Sequence, residues 1–259
     1  MQKQLEVKEE SLTDWLLFDV SQKIPRITYK AFSRQEEARK TGADWEWWFL
    51  FASFGFRMRV QAKKLCPSVD HYPAIAHTNR HGLQIEKLLA DARRENFMPF
   101  YAFYTTETAD VMCQMHKNDE GVFMAGGRSI HSEVIAAPRR PISSGDLLKH
   151  TVALSCFLCC PLASGAEPPH DPGSDDGGSG WDRFIRQYYT SELNQEISAG
   201  GEQEGAIPGV HRRIPSYVES FVRAGREGMP DWWEREFHHY IENVGALLVY
   251  DGRKRLPSA

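Results

Sequence analysis

The spacing of apolar and polar residues predicts alternating helices and strands in the first 105 residues. Apolar residues recur at helical spacing in two segments, 11–24 and 81–96. Strand patterns occur in four segments: 26–32, about 43–52, about 56–65 and 98–105. A further short helix or turn is predicted at 33–42. The predicted order of the main elements is α-β-β-β-α-β.

The pattern is weaker in the second half of the chain. One or two strands interrupted by Gly126–Gly127 are expected at 122–137, and a helix capped by Ser144 at 144–160. A stretch near 163–181 is rich in Pro, Gly, Ser and Asp, which predicts a surface loop. The remaining elements are amphipathic helices and one late strand, expected at 181–197, 215–228, 230–244 and 245–252. We therefore expect an α/β fold with a core at 1–110 and a mixed, mainly helical C-terminal part at 111–259 that completes it.

Composition places the chain among globular proteins. Its 259 residues are 41% hydrophobic and 25% charged, with a net charge of −4, so any contact with a polyanion must come from a local patch. The first ten residues are polar and no apolar run reaches the roughly 20 residues of a membrane span. The cysteines are an odd set without the spacing of a disulfide framework. These features favour a cytoplasmic protein with no membrane contact.

Polar residues interrupt the two apolar strands at 43–65. Asp44 and Glu46 share one face of the first strand, while Arg59, Gln61 and Lys63 share one face of the second. In a hairpin, Asp44 and Lys63 lie at the same end, away from the turn. Charges buried there are costly unless they are paired or bind a metal.

This cluster suggests metal-dependent phosphodiester chemistry. Asp44 would be the anchoring carboxylate of a Mg²⁺ (or Mn²⁺) site, because Mg²⁺ prefers oxygen ligands. The Gln61 side-chain oxygen or the Ala62 carbonyl would supply a second ligand. Lys63 would orient the attacking water and offset developing negative charge. The sequence lacks the Gly-x-x-x-x-Gly-Lys-Ser/Thr motif of P-loop ATPases, the Gly-x-Ser-x-Gly motif of serine hydrolases and the His-Glu-x-x-His motif of zinc proteases.

The motif Gly-x-Asp at Asp44, followed by the strand VQAKK with Gln61 and Lys63, resembles the PD-(D/E)XK nuclease superfamily of restriction endonuclease-like enzymes. It is most similar to the Mrr-like and antiphage-effector branch, in which Gln replaces the second acid. The α-β-β-β-α-β order matches that core, and Gln84 stands in the helix after the lysine strand. The likeness covers about residues 9–105.

The resemblance implies a nuclease with Asp44, Gln61 and Lys63 as its catalytic residues. Because Gln61 is neutral, another carboxylate is needed at the metal, and the candidates are Glu10 and Glu46 equally, then Glu37. Contacts to substrate are expected from three further residues: Arg59, Lys64 and Gln84. The implied substrate is nucleic acid, with DNA favoured, and the implied role is defence against foreign DNA. Whether the protein forms a homo-oligomer or has a regulatory partner stays open.

The alternative is a non-catalytic binding or scaffold protein with the same fold. An Asp and a Lys on adjacent strands often form only a surface salt bridge, which contributes little. The enzyme is favoured if the polar side chains converge with Glu10 or Glu46. The scaffold is favoured if Glu10 points to solvent and Lys63 merely pairs with Asp44.

Overall fold

The structure is a computed structural model that describes residues 7–32, 43–51, 54–66, 71–72, 74–79, 82–105, 121–136, 143–156, 208–227, 231–241 and 244–253. Within these residues the fold is mixed α/β. The strands are β1 Ile27–Ala31, β2 Trp45–Leu50, β3 Gly55–Lys64, β4 Thr78–Asn79, β5 Gly82–Leu83, β6 Met98–Thr105, β7 Gly121–Gly126, β8 Val152–Ala153, β9 Val210–His211 and β10 Ala246–Asp251. The helices are α1 Glu9–Lys23, α2 Gln84–Glu95, α3 Gly127–Ile130, a π-turn His131–Ile135, α4 Ser144–Leu148, α5 Ser216–Glu227 and α6 Asp231–Ile241.

Most strands form one mixed sheet in the order β1-β10-β2-β3-β6-β7-β8, and β9 pairs with the start of β3. The β2–β3 pair is antiparallel, with Glu46 opposite Arg59, while β3 and β6 run parallel, with Gln61 opposite Tyr101. The late strand β10 lies between β1 and β2 and is parallel to β2. The sheet therefore combines strands from both ends of the chain.

The two strands of the predicted hairpin are at the centre of the sheet. Every residue of β2 and β6 is buried, and so are all residues of β3 except Lys64. Helices cover both faces. Thr13 of α1 contacts Tyr104 on one face, while Gln84 of α2 contacts Lys63 on the other. Strands buried on both sides favour continuous apolar and aromatic runs, as in WEWWFLF.

The predicted order of elements in the first half is present, with the short β4–β5 hairpin in addition. Helix α1 begins at Glu9 rather than at Ser11, since the acids at positions 9 and 10 suit the positive end of a helix. Helix α2 ends at Glu95 and is capped by Asn96, whose positive φ of 49° closes the last turn. The strand Met98–Thr105 has its predicted bounds, and α5, α6 and β10 occur where helices and a strand were expected.

Of the one or two strands expected around Gly126–Gly127, one is present: β7 ends at Gly126, and the chain then turns into α3 and a π-turn. Another expectation in the second half was wrong. The helix expected from Ser144 ends at Leu148, and the residue that caps it is Ser143, whose hydroxyl accepts from the Asp146 N–H. The segments 33–42, 163–181 and 181–197 lie outside the described residues. No described helix is long and apolar enough to cross a membrane.

Candidate active site

The candidate site lies where β3 runs past the beginning of β2. The Val60 carbonyl accepts from the Asp44 N–H, so even-numbered residues of β3 direct their backbone polar groups toward β2. The backbone groups of Ala62 and Lys64 point the same way. Strand β2 begins at Trp45, which is opposite Val60. The backbone groups of Ala62 and Lys64 therefore lie beyond the first residue of β2. Side-chain oxygens take the place of a strand along this edge.

Asp44 is half-buried and occupies the first position on that edge. Its Oδ2 accepts from the Ala62 N–H at 2.8 Å and from Gln61 Nε2 at 2.5 Å. The same Gln61 nitrogen donates to the Ala62 carbonyl at 3.1 Å. The amide orientation is thus fixed by two acceptors, and the Gln61 carboxamide oxygen is left facing the other way.

Glu9 takes the next position along the edge. Its Oε2 accepts from the Lys64 N–H at 2.8 Å. Alternate residues of a strand are about 6.5–7 Å apart, so the carboxylates of Asp44 and Glu9 are attached at that spacing. The Ala62 carbonyl, which points to the same edge, lies between their attachment points. Two acids and a backbone oxygen therefore follow one another along β3.

Lys63 is on the α2 face of β3 and is buried. Its Nζ donates to Gln84 Oε1, at the first residue of α2, over 3.1 Å. Among the described residues this is its one hydrogen-bond partner, and none of their carboxylates is within ion-pair distance of it. Buried ammonium groups normally have a counter-ion. This arrangement favours an anion that binds from outside the protein.

Glu46 lies two residues from Asp44 on the same face but belongs to a separate ion network. Its Oε2 contacts Arg57 and Arg59, each at 2.8 Å, while its Oε1 accepts from Trp48 Nε1 and from the Tyr217 hydroxyl of α5. Burial favours the neutral acid, yet the two guanidinium groups outweigh it and hold the pKa of Glu46 well below its usual range.

Glu95, at the end of α2, completes this network. Its carboxylate contacts Arg59 at 2.9 Å and Arg57 at 3.5 Å. Both guanidinium groups also stack over Phe97, with centroid distances of 5.5 Å for Arg57 and 4.7 Å for Arg59. As placed, neither Glu46 nor Arg59 can reach a metal or a substrate without breaking these buried pairs.

The other predicted residues divide between the two faces of the sheet. Gln84 joins the cluster through Lys63, but Lys64 points to the α1 face, where its Nζ donates to the Val7 carbonyl at 2.6 Å. Glu10 is exposed in the first turn of α1. Glu37 lies outside the described residues. The structure thus pairs Asp44 with Gln61 and Lys63 with Gln84, and the two pairs are linked by the alternate positions of Gln61 and Lys63 on one face of β3.

Two buried polar atoms at the cluster have no hydrogen-bond partner among the described residues. They are Gln61 Oε1 and the hydroxyl of Tyr101. Gln61 and Tyr101 are paired in register on adjacent parallel strands, so their side chains share the α2 face. Burial and the nearby Asp44 carboxylate raise the pKa of Tyr101, which keeps its hydroxyl protonated. Such an atom can be satisfied by a bound ion, ligand or water molecule.

The donor set fits Mg²⁺ better than a softer metal. Asp44, Glu9, the Ala62 carbonyl and Gln61 Oε1 offer only oxygen, and the Gln61 oxygen is a buried acceptor that lacks a donor. No group of three or more His, Cys, Asp or Glu residues placed to hold a metal ion occurs in the described part of the chain. Mg²⁺ is commonly held by one or two carboxylates together with water and substrate phosphates.

Sequence reasoning missed Glu9 and Tyr101. The apolar spacing in α1 suggested that Trp15 is buried, but it is 67% exposed, and the buried residues are Thr13 and Leu17. Counting back from Leu17 in steps of four leads to Thr13 and then to Glu9. No periodicity of apolar residues could have given this register. Tyr101 stands in an aromatic run, which predicts a buried strand. Such a run does not predict whether the tyrosine hydroxyl has a hydrogen-bond partner.

Comparison with protein families shows that the model of a family of unknown function (DUF6615) matches residues 1–250. Comparisons with the curated proteins and with the solved structures found no match. The geometry of the site therefore carries the functional interpretation.

Proposed function

We propose that this chain, which belongs to the DUF6615 family of unknown function, is a metal-dependent nuclease that hydrolyses phosphodiester bonds of nucleic acid. DNA is the favoured substrate, and Mg²⁺ or Mn²⁺ the favoured metal. The observation that carries the proposal is the buried ammonium of Lys63, which lacks a carboxylate partner among the described residues and lies beside an oxygen-rich strand edge. A cation without a counter-ion next to a candidate metal site suits a phosphate group.

Asp44 and the Ala62 carbonyl would hold the metal, with Glu9 as the second carboxylate. Gln61 would orient the first two oxygens through Nε2 rather than ligate through Oε1, which faces away from them. When bound, the metal would polarise the scissile phosphate and activate a water molecule. Asp44 is kept in place by the Ala62 N–H and by Gln61 Nε2, so it needs little reorganisation on binding. Glu9 would thus take the role of second carboxylate, for which the resemblance to PD-(D/E)XK nucleases favours Glu10 or Glu46.

Lys63 would contact the substrate directly. Its Nζ would orient the attacking water and stabilise the negative charge that develops on the phosphoryl oxygens. Gln84 holds this ammonium from the first turn of α2, so the cation is positioned before the substrate arrives. Donors positioned in this way at developing charge contribute about 10²–10³-fold to a rate.

The experiment is a cleavage assay on plasmid and linear DNA with Mg²⁺ or Mn²⁺. It compares the unaltered protein with Lys63→Ala and with Lys149→Ala, which removes an exposed lysine that pairs with Asp146. We expect metal-dependent cutting that falls at least about 100-fold in Lys63→Ala and is retained in Lys149→Ala. Equal cutting by both variants would assign the activity to another site or to a contaminant.

The scaffold alternative makes a different prediction in the same assay. A binding protein would bind DNA, or nothing, without cutting it under any metal condition. The structure meets one condition set for that alternative, since Glu10 is exposed, but Lys63 contacts Gln84 and not Asp44. A role in defence against foreign DNA extends the proposal, and loss of phage resistance in cells that express Lys63→Ala would test it.

A further inference from the structure

The orphaned atoms of Gln61 and Tyr101 are complementary to different partners. Gln61 Oε1 is an acceptor, so it calls for a donor or a cation. The Tyr101 hydroxyl is available as a donor, so it calls for an acceptor. Because the two residues are opposite each other on β3 and β6, a donor or cation and an acceptor would lie side by side there.

We infer that Tyr101 is a substrate-binding residue of this site, whose hydroxyl donates a hydrogen bond to a non-bridging oxygen of the substrate phosphate. The inference rests on the proposed function. A phosphodiester oxygen only accepts hydrogen bonds, and both nearby donors, Tyr101 and Lys63, lie on the α2 face of adjacent strands. Gln61 Nε2 cannot serve, because Asp44 and the Ala62 carbonyl already accept from it.

The position of Tyr101 is well determined by packing. The residue is fully buried, and its ring stacks on Phe103 with a centroid distance of 5.8 Å and an interplanar angle of 16°. Burial and then the Asp44 carboxylate raise the pKa of its hydroxyl. A donor with a fixed ring loses little side-chain entropy on binding a ligand.

The test uses Tyr101→Phe, which removes only the hydroxyl. Binding of a short fluorescein-labelled DNA oligonucleotide is followed by anisotropy with Ca²⁺ in place of Mg²⁺, so that affinity is read without turnover. The control is Tyr217→Phe, which removes a hydroxyl bonded to Glu46 and Trp48 and thus outside the site. Melting temperatures of all three proteins are measured without DNA.

We expect Tyr101→Phe to weaken binding about 10-fold or more, as for loss of a hydrogen bond to a charged group, without lowering the melting temperature. Tyr217→Phe should lower the melting temperature and leave binding unchanged. Equal binding by the unaltered protein and Tyr101→Phe would overturn the inference while the nuclease proposal stands. A lower melting temperature for Tyr101→Phe would also overturn it, because the hydroxyl would then have a partner in the free protein. Absence of binding by the unaltered protein would remove both proposals.

Discussion

Replacing Glu46 by Gln should destabilise the protein strongly without affecting metal binding. The network contains two carboxylates, Glu46 and Glu95, and two guanidinium groups, Arg57 and Arg59, so its charges balance. In Glu46→Gln the remaining carboxylate leaves one positive charge in excess at a site that is almost fully buried. Breaking a buried pair from one side costs about 3–5 kcal/mol, and we expect a loss of that size.

Urea unfolding of the metal-free protein measures this loss. The matched variant is Glu95→Gln, which also removes one carboxylate from the network. The Glu95 side chain is 27% exposed, so water can reach the excess charge and the loss should be only about 1 kcal/mol. A loss below about 1 kcal/mol for Glu46→Gln, together with weaker Mn²⁺ binding, would refute the structural role and make Glu46 a metal ligand.

The same network predicts a dependence of stability on pH. Since the pKa of Glu46 in the folded protein is below its usual value, its contribution is complete above about pH 5 and is lost as the pH falls further. The free energy of unfolding of the unaltered protein should therefore fall more steeply in acid than that of Glu46→Gln. Parallel slopes for the two proteins would contradict the assignment.

Two further substitutions, each with a matched control, test the strand edge and the close approach of Gly209 to Arg57 near the start of β3. Glu9→Gln should weaken Mn²⁺ binding about 10-fold, and Glu10→Gln less than about 2-fold, by calorimetric titration; the reverse order would restore Glu10 as the ligand. Gly209→Ala should cost about 3 kcal/mol in urea unfolding, because a Cβ there would lie 2.7 Å from the Arg57 carbonyl at a φ of 80°. Gly82→Ala, with a φ of 103° and open space, should cost only about 1 kcal/mol; equal losses would contradict the clash.

Local patterns predicted the hairpin and its polar end. The alternation in WEWWFLF and in MRVQAKK gives the face that Asp44, Gln61 and Lys63 share, because side-chain direction in a strand depends only on parity. The strand Met98–Thr105 and the helix before it were predicted for similar reasons. These elements carry most of the cluster.

Other features depend on contacts between distant residues and left no local signal. Strand β10 pairs with β1 on one side and with β2 on the other. The sequence of Ala246–Asp251 alone does not specify which strands it pairs with. The register of α1 was misleading because Trp15 is exposed and Thr13 is buried against Tyr104. Glu46 pairs with Arg57 and Arg59 of the adjacent strand, but its contact with Tyr217 of α5 has no local signal.

The most direct test of a metal site on the edge of β3 is a titration with Mn²⁺, followed by electron paramagnetic resonance, of the unaltered protein and of Asp44→Asn. The asparagine keeps an oxygen that can accept from the Ala62 N–H, so the fold should be preserved while the anchoring charge is lost. The nuclease account predicts binding to the unaltered protein that is at least about 10-fold weaker in Asp44→Asn. Equal affinities, or no binding to either protein, would contradict it and leave a scaffold with the same fold.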